Sequence, residues 1–229
     1  MFKCIDEFSY SVKIWNRAIH KSLYRINCEN LSKGLVVDFG GGRGLLAPHV
    51  DKRFEYVVID IDPEKSQGTQ HCHIVGDVCA TPFRSGSVDI GISITSMQYY
   101  EHERFFGECR RVLSKGAILA LHENGLCNPF IILSRICQRF IGIFSRRTWK
   151  YRNSIIKYYN PNHVPDGFEI VYRDADGLFS PFAFMLSVLK IPTSQKFIKF
   201  LHRIDDICLS KFPYLERFVF LNVIHLRRI

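Results

Sequence analysis

The stretch LVVDFGGGRG, from Leu35 to Gly44, decides the fold of this 229-residue chain. A short run rich in branched apolar residues and closed by glycines is typical of a buried parallel strand that ends in a tight turn. Glycines at Gly40, Gly42 and Gly44 let backbone N–H groups approach a ligand closely. Their G-x-G-x-G spacing differs from the dinucleotide fingerprint G-x-G-x-x-G, which needs a glycine where Leu45 stands. The stretch therefore predicts a strand, a ligand-binding turn and then a helix.

Similar apolar runs recur along the chain. They predict strands over 56–61, 73–75, 88–94, 117–122, 167–173 and 217–226. Helices are predicted over 8–26, 103–113, 129–150 and 195–210, and Ser180-Pro181 indicates a further helix start. Strands that alternate with helices indicate an α/β fold with a parallel sheet. We divide the chain into an N-terminal helical segment (1–33), a core (34–124) and a basic, aromatic region (125–229) of the same domain.

The charge of the chain is concentrated in its second half. The 31 Lys+Arg and 22 Asp+Glu residues give a formal net charge of +9, and 47% of the residues are hydrophobic. This composition excludes disordered, collagen-like and coiled-coil proteins. Residues 1–124 hold 15 basic and 15 acidic residues, whereas residues 125–229 hold 16 basic and 7 acidic ones. A basic, aromatic half suits nucleic acid, an anionic membrane or an acidic substrate, but also an ordinary solvated surface.

The eight cysteines do not form a metal or disulfide pattern, because no two of them are separated by only two residues. Reduced thiols, the lack of an apolar signal segment and the lack of a membrane-spanning run favour a cytoplasmic protein. His71, Cys72 and His73 could place two imidazoles on one side of a strand. We found no convincing third ligand in the sequence, so an ordinary strand is the preferred interpretation and no metal is expected.

Acidic residues follow three neighbouring strands of the predicted sheet. Asp38 ends the first strand, Asp60 ends the second 22 residues later, and Asp77 follows the third. A carboxylate at the end of the second strand can accept hydrogen bonds from both hydroxyls of a ribose. Taken singly, Asp38 could be a helix cap and Asp77 a turn residue. Because all three lie at strand ends, a shared ligand is the better interpretation.

The ordered motifs resemble those of the class I S-adenosylmethionine-dependent methyltransferases, particularly the core methyltransferase domain "type 11". The resemblance covers roughly residues 34–124 and rests on 38–44, Asp60, 76–78, 87–90 and 108–117. It implies a Rossmann-like, seven-stranded, mostly parallel sheet with an antiparallel last strand, plus helical insertions that cover the cleft. The sequence departs from the family at 114–117, where Ser-Lys-Gly-Ala replaces Pro-Gly-Gly, and at Phe39, where a small residue is common.

The resemblance also implies a cofactor, S-adenosyl-L-methionine, and the residues that hold it. Asp38 and the glycine loop would hold the methionine end, and Asp60 would hold the ribose. Asp77 and the Val78 N–H would bind the adenine, and Ser93 would line the cofactor from the fourth strand. The implied set is Asp38, Gly40, Gly42, Gly44, Asp60, Asp77, Val78 and Ser93.

Candidates for a general base lie after the fourth and fifth strands. His122 and Glu123 are the preferred pair, with Tyr100 beside the expected pocket mouth. The alternative is a polar cluster at the strand end that only hydrogen-bonds to loops.

The acceptor class stays open among three hypotheses. The first is a small or lipid- or glycan-like acceptor, with the basic half contacting an anionic membrane surface as a peripheral protein. The second is an RNA or protein methyltransferase, and nucleic acid is disfavoured because the Asn/Asp-Pro-Pro-aromatic signature is missing after the fourth strand. The third is a non-catalytic relative that binds the cofactor. The sequence indicates neither the acceptor atom nor an oligomeric state.

Overall fold

A computed structural model describes residues 17, 21–26, 33–125, 127–129, 132, 159–188 and 192–229. Most of the helices predicted over 8–26 and 129–150 lies outside these residues, and so do the basic side chains predicted to line the second of them. Residues 21–26 are helical, and Leu23 and Ile26 are buried as the predicted amphipathic pattern requires.

The described residues form a seven-stranded sheet with the order β3-β2-β1-β4-β5-β7-β6. The strands are β1 (Gly34–Phe39), β2 (Phe54–Asp60), β3 (Cys72–Val75), β4 (Val88–Ile94), β5 (Leu113–Asn124), β6 (Phe168–Asp176) and β7 (Leu221–Arg228). Strands β1 to β5 pair in parallel, and the last strand is antiparallel. The predicted fold class is confirmed. Because β1 pairs with β2 on one side and β4 on the other, its carboxyl end lies between theirs, where open α/β sheets bind ligands.

Burial on both faces explains why the central strands read as continuous apolar runs. Val36 and Val37 point to opposite faces of β1, and both are fully buried. On one face, Phe39 and Leu119 pack with Phe105 of helix α1 (His102–Val112). Helix α1, which the sequence predicts over 103–113, therefore forms part of the main core.

Three elements differ from the sequence-based prediction. Strand β7 begins four residues after its predicted start at 217, because the 3₁₀ helix Pro213–Phe218 precedes it. After the glycine turn the chain forms only a short 3₁₀ helix, Ala47–His49, because only nine residues lie between Gly44 and the start of β2 at Phe54. Strand β5 begins four residues before its predicted start. Leu113 pairs with Val88, and a shift of register between Val88 and Ile90 accommodates the extra residues.

The chain divides into two compact units. The first, here called the core unit, comprises Lys21–Glu123, Ile155–Arg173 and Val223–Ile229. The second, here called the helical unit, comprises Met1–His20, Asn124–Ser154 and Asp174–Asn222.

The described part of the helical unit contains helices α2 (Pro181–Val188) and α3 (Gln195–Lys211). Helix α2 begins at the predicted proline, and the Ser194 side chain caps α3 by accepting a hydrogen bond from the Phe197 N–H at 3.2 Å. No helix among the described residues has the length and hydropathy needed to cross a bilayer.

Candidate functional site

A backbone hydrogen bond and close side-chain packing fix the glycine turn after β1. The Gly40 N–H donates to the Ile59 carbonyl at 2.7 Å, and Gly40 has a φ of 68°, in the left-handed region that favours glycine. A Cβ at this position would collide with the Tyr100 hydroxyl and lie 2.9 Å from the Ser96 Cβ. The turn can therefore adopt this path only because residue 40 has no side chain.

Asp38 lies beneath this turn and is almost completely buried, with 2% exposure. Its Oδ2 accepts a hydrogen bond from the Tyr56 hydroxyl at 2.5 Å, whereas its Oδ1 has no hydrogen-bond partner within the described part of the chain. Burial raises the pKa of Asp38 to about 7, and the nearby Asp60 charge adds to that rise while the Tyr56 hydrogen bond opposes it. An unsatisfied buried carboxylate oxygen favours a cationic ligand group above it.

Asp60 holds the outer part of the same turn. Its Oδ2 accepts from the Gly42 N–H at 2.9 Å, and its Oδ1 accepts from the Asp62 N–H at 2.9 Å. Gly42 has a φ of 56°, and a Cβ there would meet no atom within 4 Å. The sequence-predicted pair of Gly42 and Asp60 is thus joined directly, with open space beside the glycine.

The turn after β3 lies next to the end of β2, because the Gly76 N–H donates to the Asp60 carbonyl at 3.0 Å. Asp77 is exposed and accepts from the Cys79 N–H at 2.8 Å, and its Oδ2 lies 3.8 Å from the Arg104 guanidinium. Val78 is buried. The structure therefore places Asp77 beside Asp60, at the same edge of the sheet.

A hydroxyl network connects the end of β4 to the end of β1. Ser93 is fully buried, and its Oγ lies 2.8 Å from the Ser96 Oγ. Ser96 and Tyr100 both donate to the Phe39 carbonyl, at 3.1 and 2.8 Å. In the structure, Ser93 and Tyr100 thus fix the position of the glycine turn.

The backbone after β4 is strained beside the candidate base Glu123. Thr95 has a φ of 50°, which is uncommon for a β-branched residue, and its N–H donates to the His122 carbonyl at 2.7 Å. The Glu123 Oε1 accepts from the Met97 N–H at 3.2 Å. Burial raises the pKa of Glu123 to about 8, so its carboxyl is largely protonated at neutral pH. Burial raises the pKa of Tyr100, the hydrogen bonds with Ser96 and Ser93 oppose that rise, and the Glu123 charge adds to it.

His122 points to the opposite face of the sheet from Glu123, because neighbouring strand residues alternate. It is 1% exposed, and neither ring nitrogen has a hydrogen-bond partner among the described residues. Burial, together with the nearby His225, lowers the pKa of His122 to about 3, so its imidazole is neutral. His225 itself shares a 2.7 Å hydrogen bond with the Ser22 hydroxyl. The structure thus brings Glu123 and Tyr100 together but separates His122 from them.

Several residues of the site were missed by the sequence reasoning. Tyr56 supports Asp38, Ser96 holds the Phe39 carbonyl, and the His73 Nε2 lies 2.9 Å from the Gly42 carbonyl. The one available signal was the alternation of side chains along the strands. Val36 pairs with Tyr56, and this pairing places Tyr56 on the same face of the sheet as Asp38. That pairing is known only once the register of β1 and β2 is fixed.

The residues present fit S-adenosylmethionine. The unpaired Asp38 Oδ1 suits its ammonium group, the space beside Gly42 admits its methionine portion, and Asp60 offers two carboxylate oxygens to the ribose.

Comparison with known proteins concerns the domain and the fold. Residues 37–121 match a family model described as "Methyltransferase domain", and no curated protein matches the chain. Geranyl diphosphate C-methyltransferase from Streptomyces coelicolor has a similar structure, with 16% identity over 93% of this chain and 79% of that chain and a TM-score of 0.58. A putative sarcosine dimethylglycine methyltransferase from Galdieria sulphuraria shares 13% identity over 97% and 98% of the two chains, with a TM-score of 0.55.

These solved structures share the fold, and the matched domain covers the strands that carry Asp38, Asp60 and Asp77. Residues 37–121 therefore carry a methyltransferase domain, and the shared fold and the residues at the site support S-adenosylmethionine-dependent methyl transfer by this part of the chain.

Proposed function

We propose that this methyltransferase acts on a small, predominantly apolar acceptor of lipid-like character, which binds at the carboxyl edge of β4 and β5. The observation that carries the proposal is the pairing of a buried, largely protonated Glu123 with exposed apolar side chains along the same edge of the core unit. Tyr99, which follows β4, is 51% exposed, and Leu45, which follows β1, is 60% exposed. Exposed apolar residues at a site favour an acceptor with apolar surface.

The charge of this edge supports the same acceptor class. Asp38, Asp60 and Asp77 are acidic, and residues 1–124 have equal numbers of basic and acidic residues. A polyanion such as RNA is bound through clustered Lys and Arg, whereas here three acids follow β1, β2 and β3. The Streptomyces coelicolor neighbour, a geranyl diphosphate C-methyltransferase, offers an analogy for an acceptor with an apolar chain on this fold.

The cofactor residues other than Ser93 keep the roles that the family resemblance implies, and the fully buried Ser93 supports the turn instead of lining the cofactor. Asp38 would bind the ammonium, Asp60 the ribose, and Asp77 with Val78 the adenine. Gly40, Gly42 and Gly44 would shape the turn, while Ser93 acts from beneath through Ser96. When bound, S-adenosylmethionine supplies an activated methyl group, so the protein has to align the acceptor behind it.

Glu123 is our candidate for the general base, with Tyr100 as its neighbour. An O–H or N–H acceptor forms its bond to the methyl carbon as the C–S bond of the sulfonium breaks, and an ionised Glu123 carboxylate can accept the proton that the acceptor loses. A pKa of about 8 makes Glu123 a strong enough base near neutral pH, although it is ionised only in part there. The neutral, buried His122 lies on the other face, so we assign it a packing role beside His225.

The test follows a labelled methyl group. Purified protein is incubated with methyl-labelled S-adenosylmethionine and with four separate pools: solvent-extractable small molecules, water-soluble small molecules, RNA and protein. We expect label in the solvent-extractable pool. We also expect Asp60→Ala to abolish it, because loss of two charge-assisted hydrogen bonds weakens cofactor binding about 10- to 100-fold.

Asp51→Ala, which removes an exposed carboxylate away from the turn, is the matched control and should transfer label like the wild type. Label confined to RNA or protein would contradict the proposed acceptor class. Unchanged cofactor affinity of Asp60→Ala in calorimetry would contradict the proposed cofactor site.

A further inference from the structure

The outer face of helix α3 combines basic and apolar side chains in one stripe. Helical periodicity places residues at i, i+4, i+7, i+11 and i+15 on one side of a helix. In α3 these positions are Lys196, Phe200, Arg203, Ile207 and Lys211, and all five are exposed. The opposite side, which includes Ile198, Leu201 and Asp205, is buried.

The apolar members of this stripe are strongly exposed. Phe200 is 57% exposed and Ile207 is 46% exposed. The chain that follows α3 extends the surface, with Phe212 at 46% and Tyr214 at 63% exposure. Four large apolar or aromatic side chains within fifteen residues form a patch of the kind that marks an interaction surface.

The charge on this surface is positive. Lys196, Lys199, Arg203 and Lys211 are exposed, and none of them has a carboxylate partner within 4.0 Å among the residues that the structure describes. Asp206 is the exposed acid of the helix, and its carboxylate is paired with Arg17. The outer face therefore offers cations whose charge is not neutralised by neighbouring described side chains.

We propose that the α3 face, defined as Lys196, Lys199, Phe200, Arg203, Ile207, Lys211, Phe212 and Tyr214, docks on an anionic lipid bilayer surface. Anionic lipid headgroups pair with the Lys and Arg side chains. The apolar side chains between these cations insert at the boundary between headgroups and acyl chains. Long Lys and Arg stems allow their charged ends to reach the headgroups while the helix lies flat. Tyr214 is typical of the interface, since its ring is apolar and its hydroxyl remains hydrated.

This inference deepens the proposed function, because a lipid-like acceptor would be collected from the surface on which the protein docks. It differs from the prediction based on residues 129–150, since α3 and the segment after it carry the docking residues. The α3 face lies wholly within the helical unit.

The test measures co-sedimentation with vesicles in the absence of cofactor and acceptor, so it can fail without affecting the proposed function. The vesicles contain either phosphatidylcholine alone or phosphatidylcholine with about one third phosphatidylglycerol. We expect binding only to the anionic vesicles, and release at high salt because the attraction is screened. Lys199→Glu/Arg203→Glu should lower the partition coefficient at least about tenfold.

Lys52→Glu/Lys115→Glu is the matched control, because it makes the same change of charge at exposed positions of the core unit. This variant should bind anionic vesicles within about twofold of wild type. Phe200→Ser/Ile207→Ser keeps the charge and should also weaken binding about tenfold, which separates insertion from simple attraction. Thermal midpoints within a few degrees of wild type would establish that the variants fold.

Three outcomes would overturn the proposal. The first is no sedimentation of the wild type with anionic vesicles at low salt. The second is equal loss of binding in the α3 variant and in its core-unit control. The third is retention on bulk RNA that depends on the α3 face while vesicles are ignored, which would assign the face to a nucleic acid instead.

Discussion

At the scale of single residues, Asp38 and Tyr56 determine how the site responds to pH. The Asp38 carboxyl is buried beneath the glycine turn with a pKa of about 7, and the Tyr56 hydroxyl is its described hydrogen-bond donor. Only the ionised form of Asp38 can attract the ammonium of the cofactor. Cofactor affinity should therefore rise as the pH rises through about 7.

Tyr56→Phe should move the rise in cofactor affinity to a higher pH. The substitution removes a hydrogen bond that lowers the pKa of Asp38, so that pKa rises further and less of the carboxylate is ionised at pH 7. We expect affinity for S-adenosylmethionine to fall about tenfold at pH 7 and to approach the wild-type value near pH 9. Calorimetry across this range measures the effect, with Tyr24→Phe as the exposed control. Superimposable curves for Tyr56→Phe and wild type would refute the coupling.

At the scale of elements, the glycine turn shows two different requirements for glycine. At Gly40 the neighbouring Tyr100 and Ser96 leave no space for a side chain. At Gly42 the space is open. Glycine is favoured there because its φ of 56° lies in the left-handed region and because the missing side chain lets a ligand approach the backbone. One stretch of sequence therefore combines a packing constraint with a binding constraint.

Alanine substitutions should separate these two constraints. Gly42→Ala should cost only about 1 kcal/mol of stability, because it meets no neighbour, yet lower cofactor affinity by more than about tenfold. Gly40→Ala should cost clearly more stability, because Tyr100 and Ser96 must move. Urea unfolding and calorimetry give the two quantities for each variant. Wild-type cofactor affinity in Gly42→Ala would show that no ligand occupies the space beside this residue.

Helices α2 and α3 show how a polar residue can belong to a buried face. Asp205 is fully buried, and its two oxygens accept the N–H groups of Phe179 and Ser180 at 2.6 and 3.2 Å, just before α2 begins. Asp205, Asp176 and His202 have ligand atoms within 4.8 Å of one another. The Asp205 carboxylate is engaged by backbone donors, and Asp176 lies 3.4 Å from the Arg17 guanidinium. We therefore interpret this cluster as structural.

At the scale of the whole molecule, buried acids should make the stability depend on pH. The pKa of Glu123 rises from 4.5 to about 8 on folding, so the folded chain binds more protons than the unfolded chain between these values. Stability is lost as the pH rises through that window. His122 acts in the opposite direction, but only between about 3 and 6.5, because its pKa is lowered. Above pH 6.5 only the buried acids affect this balance, so the stability of the folded chain falls as the pH rises.

Glu123→Gln should therefore flatten the stability curve. Between pH 6.5 and 8 we expect the unfolding free energy of the wild type to fall more steeply than that of the variant, which has no proton to lose. Chemical unfolding at several pH values measures this difference. Glu169→Gln, at an exposed position on β6, should run parallel to the wild type. If Glu123→Gln also ran parallel, Glu123 would not be the buried acid described above.

The sequence by itself determined the strands of the cofactor-binding core along the chain, the three acids at strand ends and the basic character of the second half. These features are local, since each depends on a run of neighbouring residues or on a count. The tertiary structure alone decided that Tyr56 supports Asp38, that Ser96 and Tyr100 hold the Phe39 carbonyl, and that His122 and Glu123 lie on opposite faces. It also decided which side of α3 is exposed. Such contacts join residues distant in sequence, so they depend on register, packing and burial, which no local pattern contains.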